Sequence, residues 1–283
     1  MKRGFTILAV VTALLLSIAL YAALVIAPTE QTMGNVQRIF YYHVPSAWTA
    51  FLLFFLNFVA SVQFLVRRTA SGPRIANGIA IGTALIVTIG AFFVRLPEGL
   101  RPSAIATTAI AVAAIYLLVG RSFSREGLDM FALTTAEVGV VFCTVVLVTG
   151  PIWARPVWGI WWTWDLRLTL TLVLWLIYVS YLLLRRFSTS GQTPLLAAVL
   201  AVFGALDIPL VYFSIWFFRT QHPSPVIGGG GSLDPRMGRV LLLNWAAFLC
   251  LAWLVGWTRY RLEVAERAVQ EAEAMQSLME GAR

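Results

Sequence analysis

The chain has 283 residues, of which 59% are hydrophobic and 12% are charged, and its mean hydropathy is +0.81. A soluble domain carries roughly twice that charged fraction, so the composition excludes an ordinary soluble protein and predicts an integral membrane protein. A formal net charge of +8 can indicate nucleic-acid binding. Here, however, the basic residues stand at the ends of apolar runs, as in the cytoplasmic loops of membrane proteins, so we expect no nucleic-acid partner.

The apolar runs predict the fold class. They are long and uniformly apolar rather than alternating, which is typical of membrane-spanning helices and not of a barrel. The sequence therefore predicts an all-α, polytopic transmembrane bundle of about eight spans. The first run is too long for the apolar part of a signal peptide and is predicted to be a retained span. The predicted spans are residues 5–27, 46–66, 75–94, 103–120, 131–150, 167–184, 195–217 and 240–258.

The basic residues predict the orientation of the bundle. Their clusters fall on alternate sides of consecutive spans, so all of them share one face, which the distribution of positive charge assigns to the cytoplasm. Both termini are then cytoplasmic, residues 1–258 form the transmembrane domain and 259–283 form a charged, helical cytoplasmic tail. The clusters are Lys2/Arg3, Arg67/Arg68/Arg74, Arg121/Arg125, Arg185/Arg186 and Arg259/Arg261. The loops predicted to lie outside are residues 28–45, 95–102, 151–166 and 218–239.

One of the two histidines precedes the second predicted span, in the segment NVQRIFYYHVPSAW. Val36, Ile39, Phe40 and His43 recur at helical spacing, so a short interfacial helix would place His43 on its apolar face. Pro45 would then suit the first turn of the following span.

A dense cluster of aromatic residues follows the fifth predicted span, in WARPVWGIWWTWDLRLT. We expect Pro151, Pro156 and Gly159 to interrupt any regular helix here. A cluster on one membrane face is not an anchoring belt, which would occupy both faces, and it suggests a platform for a flat, apolar ligand. If the segment were helical, Trp158, Trp161, Trp162 and Asp165 would share one face. The clustered tryptophans, five of the chain's 11, are Trp153, Trp158, Trp161, Trp162 and Trp164.

The second histidine, His222, follows the seventh predicted span and precedes Pro223. A lone histidine in an outer loop usually makes a local hydrogen bond. Two on the same face as a tryptophan platform instead favour a haem site, since neutral imidazoles are common axial ligands of haem iron. The candidate partners of the haem propionates are Arg155, Arg167 and Arg219, and Asp165 is expected to orient a tryptophan N–H or an arginine.

Two acids and two cysteines lie inside predicted spans. Glu137 and Asp207 could mark a ligand path or could be protonated or arginine-paired structural acids, and the sequence favours neither. Cys143 and Cys250 form no CxxC or CxxCH motif, so they are interpreted as packing residues and the chain is not itself a c-type cytochrome. The tail carries a narrow apolar stripe from Leu262 to Met279, which could dock a partner but is better interpreted as a solvated extension of the last span.

Three separated segments, WGIWWTWDLRLT, HVPSAW and FSIWFFRTQH, resemble the haem-handling membrane proteins of cytochrome c maturation, and within them the CcmC type of haem-delivery protein. The resemblance covers most of residues 28–66 and 131–258. It implies haem b, bound transiently at the periplasmic face of the bacterial inner membrane. His43 and His222 would be its axial ligands, and Trp158 to Asp165, with Trp164 among them, would cradle the macrocycle.

The same resemblance implies partners. These are a membrane-anchored periplasmic haem chaperone of the CcmE type, ABC transporter subunits of the CcmA/CcmB type, a small single-span subunit of the CcmD type, and membrane lipid. Relatives that attach haem to apocytochrome carry further histidines inside their spans. This chain has 2 histidines, both predicted to be external, which favours haem delivery over ligation and therefore a protein that is not an enzyme.

The chain also departs from that pattern. The delivery type usually has six spans, so residues 74–121 are predicted to be a two-span insertion. Asp207 stands where the family more often has asparagine, and the GGGGS stretch at 228–232 differs from the commoner sequence after the second histidine. Two alternatives remain: a haem–apocytochrome ligase subunit, and a secondary transporter of a small solute, which would require paired broken helices and internal repeats.

Overall fold

A computed structural model describes residues 2–93, 101–218, 222 and 233–281. Within these residues the chain is helical, and eight helical stretches are long and apolar enough to cross a membrane, which confirms the predicted all-α, polytopic fold. The seventh stretch consists of two helices, α7 and α8. The helices are α1 (Lys2–Tyr21), α2 (Phe40–Val66), α3 (Gly72–Phe93), α4 (Pro102–Ser122), α5 (Arg125–Trp158), α6 (Leu166–Phe187), α7 (Thr193–Ala205), α8 (Asp207–Phe217) and α9 (Pro235–Gly281).

The centre of the bundle is the contact between α2 and α5. Gly139 of α5 lies so close to α2 that a Cβ atom there would be 2.6 Å from the Phe54 ring. That ring stacks on Tyr178 of α6, with 3.8 Å between centroids. The buried Asn57 amide donates to the Ala132 carbonyl at 2.7 Å. Small residues and interhelical hydrogen bonds of this kind hold membrane helices together, since lipid gives them little hydrophobic reason to associate.

Helices α3 and α4 form a hairpin that packs mainly on itself and touches the rest of the bundle through α2. At its α4 end, the Gln63 amide donates to the Tyr116 carbonyl at 3.1 Å, and Arg67 donates to the Phe123 carbonyl at 2.7 Å. Most other side chains of the hairpin are exposed and apolar. That the pair is an insertion remains a prediction.

The prediction that Pro151 and Pro156 interrupt any regular helix in the tryptophan-rich segment was wrong, whereas Gly159 does end a helix there. Helix α5 continues through Pro151 and Pro156 to Trp158 and ends at Gly159, whose φ of 77° is a left-handed conformation. Each proline removes one backbone hydrogen bond, but the neighbouring turns of a helix inside a bundle keep theirs. Residues 159–165 are not helical. The four residues that would share one face of a helix therefore do not do so; they are Trp158, Trp161, Trp162 and Asp165.

One other local prediction also differs from the structure. His43 does not lie on a separate interfacial helix, because a 3₁₀ turn at Asn35–Ile39 leads directly into α2, which contains both His43 and Pro45. The seventh span is interrupted at Leu206, directly before Asp207.

The last helix extends far beyond a single span. Its 47 residues correspond to about 70 Å, against roughly 30 Å for the hydrocarbon core. Ion pairs fasten its first exposed turns to the bundle: Arg259 pairs with Glu137 at 2.8 Å, and Arg267 pairs with Asp129 at 2.8 Å. Glu137 is thus an arginine-paired acid. Residues 268–280 are exposed, as expected for a solvated extension, while the part up to Arg267 is docked.

Candidate functional site

A cavity of about 250 Å³ lies where α2 begins and α5 ends, and α6, α8 and His222 complete its wall. We call this the cavity end of the bundle and the opposite end, where Arg259 and Arg267 are paired, the tail end. Most of the lining is apolar or aromatic. The exceptions that carry chemistry are His43, His222 and Arg167, so the structure brings both predicted iron ligands and one predicted propionate partner to one place.

His43 lies in the first turns of α2 and its imidazole is held by α5. Its Nδ1 is 2.8 Å from the Thr149 hydroxyl oxygen. Its ring meets Trp153 edge to face, with 5.7 Å between centroids. The imidazole also lies close to Gly150, where a Cβ atom would be in ordinary van der Waals contact, at 3.5 Å, with the His43 Cε1. Contacts with α5 therefore fix both the position and the tilt of the side chain.

The tryptophans of the cluster fall into two groups. Trp153, Trp158 and Trp162 line the cavity. Trp161 and Trp164 do not, and their side chains are 59% and 76% exposed. The difference arises because the chain leaves the helix at Gly159, after which successive side chains no longer follow helical spacing.

Sequence reasoning did not place Trp153 in the cradle. The missed signal is a helical pattern: Gly150, Trp153, Ala154 and Val157 stand at i, i+3, i+4 and i+7, and all four line the cavity. Pro151 and Pro156 obscure this pattern in the sequence, because prolines usually interrupt a helix.

The three arginines predicted to bind propionates are differently placed. Arg167 lines the cavity, and its Nη1 is buried with no hydrogen-bond partner among the described residues. Arg155 is exposed and donates to the Gly159 carbonyl at the end of its own helix. Arg219 lies outside the described residues. A buried guanidinium nitrogen without a partner is costly unless an anion binds it, so Arg167 has a donor available for an anionic group.

Asp165 has a local structural role in this arrangement. Its carboxylate caps α6 by accepting the Leu168 amide hydrogen at 2.9 Å, and the cap fixes where Arg167 enters the helix. The second in-span acid, Asp207, is 6% exposed, and its Oδ2 has no hydrogen-bond partner within the described part of the chain. Val211, one turn further along α8, lines the cavity while Asp207 does not, so both interpretations of Asp207 stay open.

The fold and the site together define a class: a multi-pass helical membrane protein with an aromatic-walled cavity that presents two imidazoles and a partly buried guanidinium. The family model described as CcmC, heme exporter protein C, matches residues 1–96 and 86–275. The chain belongs to this family of cytochrome c maturation proteins, which confirms the resemblance found in its sequence. The two matched stretches overlap at residues 86–96.

Individual relatives agree with the family match. The heme exporter protein C of Bradyrhizobium diazoefficiens is 29% identical over 273 residues, which cover 95% of this chain and 82% of that protein. A putative cytochrome c biosynthesis ccmC-like mitochondrial protein of Marchantia polymorpha is 26% identical over 238 residues, 84% of this chain and 78% of the relative. The heme exporter protein C of Escherichia coli K12 is 31% identical over 153 residues, 53% and 62% of the two chains.

Proposed function

We propose that this protein binds haem in the cavity through His43 and His222 and passes it to a periplasmic haem chaperone for c-type cytochrome biogenesis. Membership of the heme exporter protein C family supports haem transfer in this process. The observation that carries the finer proposal is the convergence of both of the chain's histidines, three tryptophans and Arg167 on one cavity.

The side chains of the cavity suit haem as a cargo. A porphyrin needs flat apolar surface, cationic partners for its propionates and nitrogen ligands for its iron, and the lining offers each of these. Trp158 and Trp162 supply aromatic surface, and the unpartnered Arg167 Nη1 supplies a charge-assisted donor. The protein's contribution is binding and orientation, while the iron and its ligand exchange belong to the cargo.

The size of the cavity favours delivery over permanent storage. Its volume of about 250 Å³ is below the range of roughly 300–1,000 Å³ usual for small-molecule pockets. A macrocycle would therefore be only partly enclosed, and a recipient protein could reach its open edge. Trp161 and Trp164, exposed on the same segment, offer apolar surface to that recipient.

The orientation and partners are part of the same proposal. We place the cavity end at the periplasmic face of the bacterial inner membrane and both termini in the cytoplasm, with haem b as the cargo. ABC transporter subunits and a small single-span subunit would act beside the chain, as the resemblance implies. We propose no ligase activity: Glu137, one of the two in-span acids available for such chemistry, is held by Arg259.

The direct test is haem titration of the full chain in detergent, followed by addition of the purified apo form of the haem chaperone. We expect saturable binding with a low-spin absorption spectrum, and then movement of the haem to the chaperone when the two proteins are separated. Absence of saturable binding would refute the site. Binding that is not followed by transfer would refute the delivery role.

The two tryptophan groups provide a matched pair of variants. Trp162→Ala removes a ring that lines the cavity and should weaken haem binding about tenfold, since aromatic packing adds about 0.5–1.5 kcal/mol to the effect of burial. Trp161→Ala removes an exposed ring of the same segment and should leave haem affinity unchanged. Absorption titrations measure the haem affinity of both variants. An equal loss of affinity in the two would argue against the assignment of Trp162 to the haem-binding wall.

A further inference from the structure

Thr149 connects two helices at the cavity through a single hydroxyl group. It lies in α5, and its Oγ1 is 2.6 Å from the Val145 carbonyl oxygen, one turn back in the same helix. The same oxygen is 2.8 Å from Nδ1 of His43 in α2. Thr149 is thus the side chain through which α5 holds the imidazole that lines the cavity.

The position of the hydrogen in this pair follows if both of these contacts are hydrogen bonds. A threonine hydroxyl has one hydrogen, and a carbonyl oxygen has none. The contact with Val145 can therefore be a hydrogen bond only if Thr149 donates to it. The contact with His43 can then be a hydrogen bond only if Nδ1 carries a hydrogen and donates it to the Thr149 oxygen.

The same helix contains a second threonine with this arrangement. Thr144 donates to the Val140 carbonyl at 2.7 Å and accepts from the Trp175 indole at 2.8 Å. Since an indole N–H can only donate, the direction of that hydrogen bond is certain. Thr144 does not line the cavity, so it provides a structural counterpart without a role at the site.

We propose that Thr149 is a positioning residue that fixes the Nδ1–H tautomer of His43 and so leaves the Nε2 lone pair for iron. The proposal rests on the proposed function, since it assigns a role toward bound haem. Histidines that bind metals generally donate their other ring N–H to an acceptor, which sets the ring orientation and makes the ligating nitrogen a stronger donor.

The experiment compares Thr149→Val, Thr149→Ser and Thr144→Val in the full chain, purified in detergent and titrated with haem. Thr149→Val keeps the side-chain shape and removes the acceptor, so we expect haem affinity to fall about 10–100-fold. We also expect the midpoint potential to rise, because a weaker imidazole donor stabilises ferric iron less. If the affinity for ferric haem falls ten times more than the affinity for ferrous haem, the midpoint potential rises by about 59 mV.

The two other variants separate positioning from general disruption. Thr149→Ser restores the acceptor and should return both affinity and potential to the wild-type values. Thr144→Val leaves the Trp175 N–H without its acceptor but should change neither quantity. Size-exclusion profiles check folding, and Thr149→Ala replaces the valine variant if that one aggregates.

The outcomes distinguish this inference from the proposed function. Wild-type affinity and potential in Thr149→Val, with His43→Ala still impaired, would overturn the role of Thr149 alone. Equal effects of Thr149→Val and Thr144→Val would overturn it as well. If the wild-type chain bound no haem, or bound it equally well without His43, the proposed function itself would fail.

Discussion

His43→Ala and His222→Ala should each convert the haem complex from six-coordinate, low-spin iron to a five-coordinate, high-spin form. Each imidazole is expected to supply one axial nitrogen, and the chain has no third histidine to replace a lost ligand. Haem affinity should fall by at least about 100-fold, since loss of a supporting hydrogen bond alone costs 10–100-fold at metal sites. The measurement is an absorption titration of the full chain in detergent.

Added imidazole gives this prediction a control. His43→Gly and His222→Gly leave space for a free imidazole, which should restore the low-spin spectrum if the lost group was a ligand. Met33 also lines the cavity, and its thioether could bind the iron in place of the lost histidine. Added imidazole would then displace the thioether and change the spectrum. The axial assignment is refuted if both alanine variants keep the wild-type low-spin spectrum, or if neither differs from the wild type in affinity.

The sequence could predict that both histidines and the tryptophan segment meet at one face, because this depends only on the number of spans between them. Alternating spans put the loops that carry His43, the tryptophan segment and His222 on one face, whatever the packing of the helices between them. The wall of the cavity could not be predicted in the same way. It depends on α5 continuing through Pro151, which only the surrounding helices permit, and on the turn at Gly159 that separates Trp162 from Trp161.

At the tail end, the sequence predicts the helix but not the ion pairs that hold it. A heptad-like stripe predicts a helix after Arg259, but nothing in a local pattern shows that Arg267 meets Asp129, which lies 138 residues earlier in the chain. Such pairs depend on the packing of α5, α6 and α9 against one another. They also change the interpretation of the tail, because its first turns are part of the bundle and only the later turns are free of it.

Asp129→Asn should be the most destabilising single change at the tail end. The Asp129 carboxylate is 4% exposed and accepts from Arg185 at 2.6 and 2.8 Å and from Arg267 at 2.8 Å. An asparagine there cannot neutralise the two guanidinium groups, and its amide would direct N–H groups at other donors. Removing one member of a buried ion pair typically costs about 3–5 kcal/mol, which corresponds to a fall in Tm of roughly 6–20 °C for a chain of this size.

Thermal unfolding can be followed by the reaction of a thiol dye with Cys143 and Cys250, the chain's two cysteines, neither of which is exposed in the folded bundle. Asp234→Asn is the matched control, since its pair with Arg236 is largely exposed and should contribute little. Arg267→Gln should lower Tm by less than Asp129→Asn, because Arg185 still binds the carboxylate with both of its terminal nitrogens. It should also make the tail more sensitive to protease, since Arg267 is the last side chain of α9 that pairs with α5. A Tm for Asp129→Asn equal to that of Asp234→Asn would mean that the ion pairs of Asp129 contribute little to the stability of the tail end.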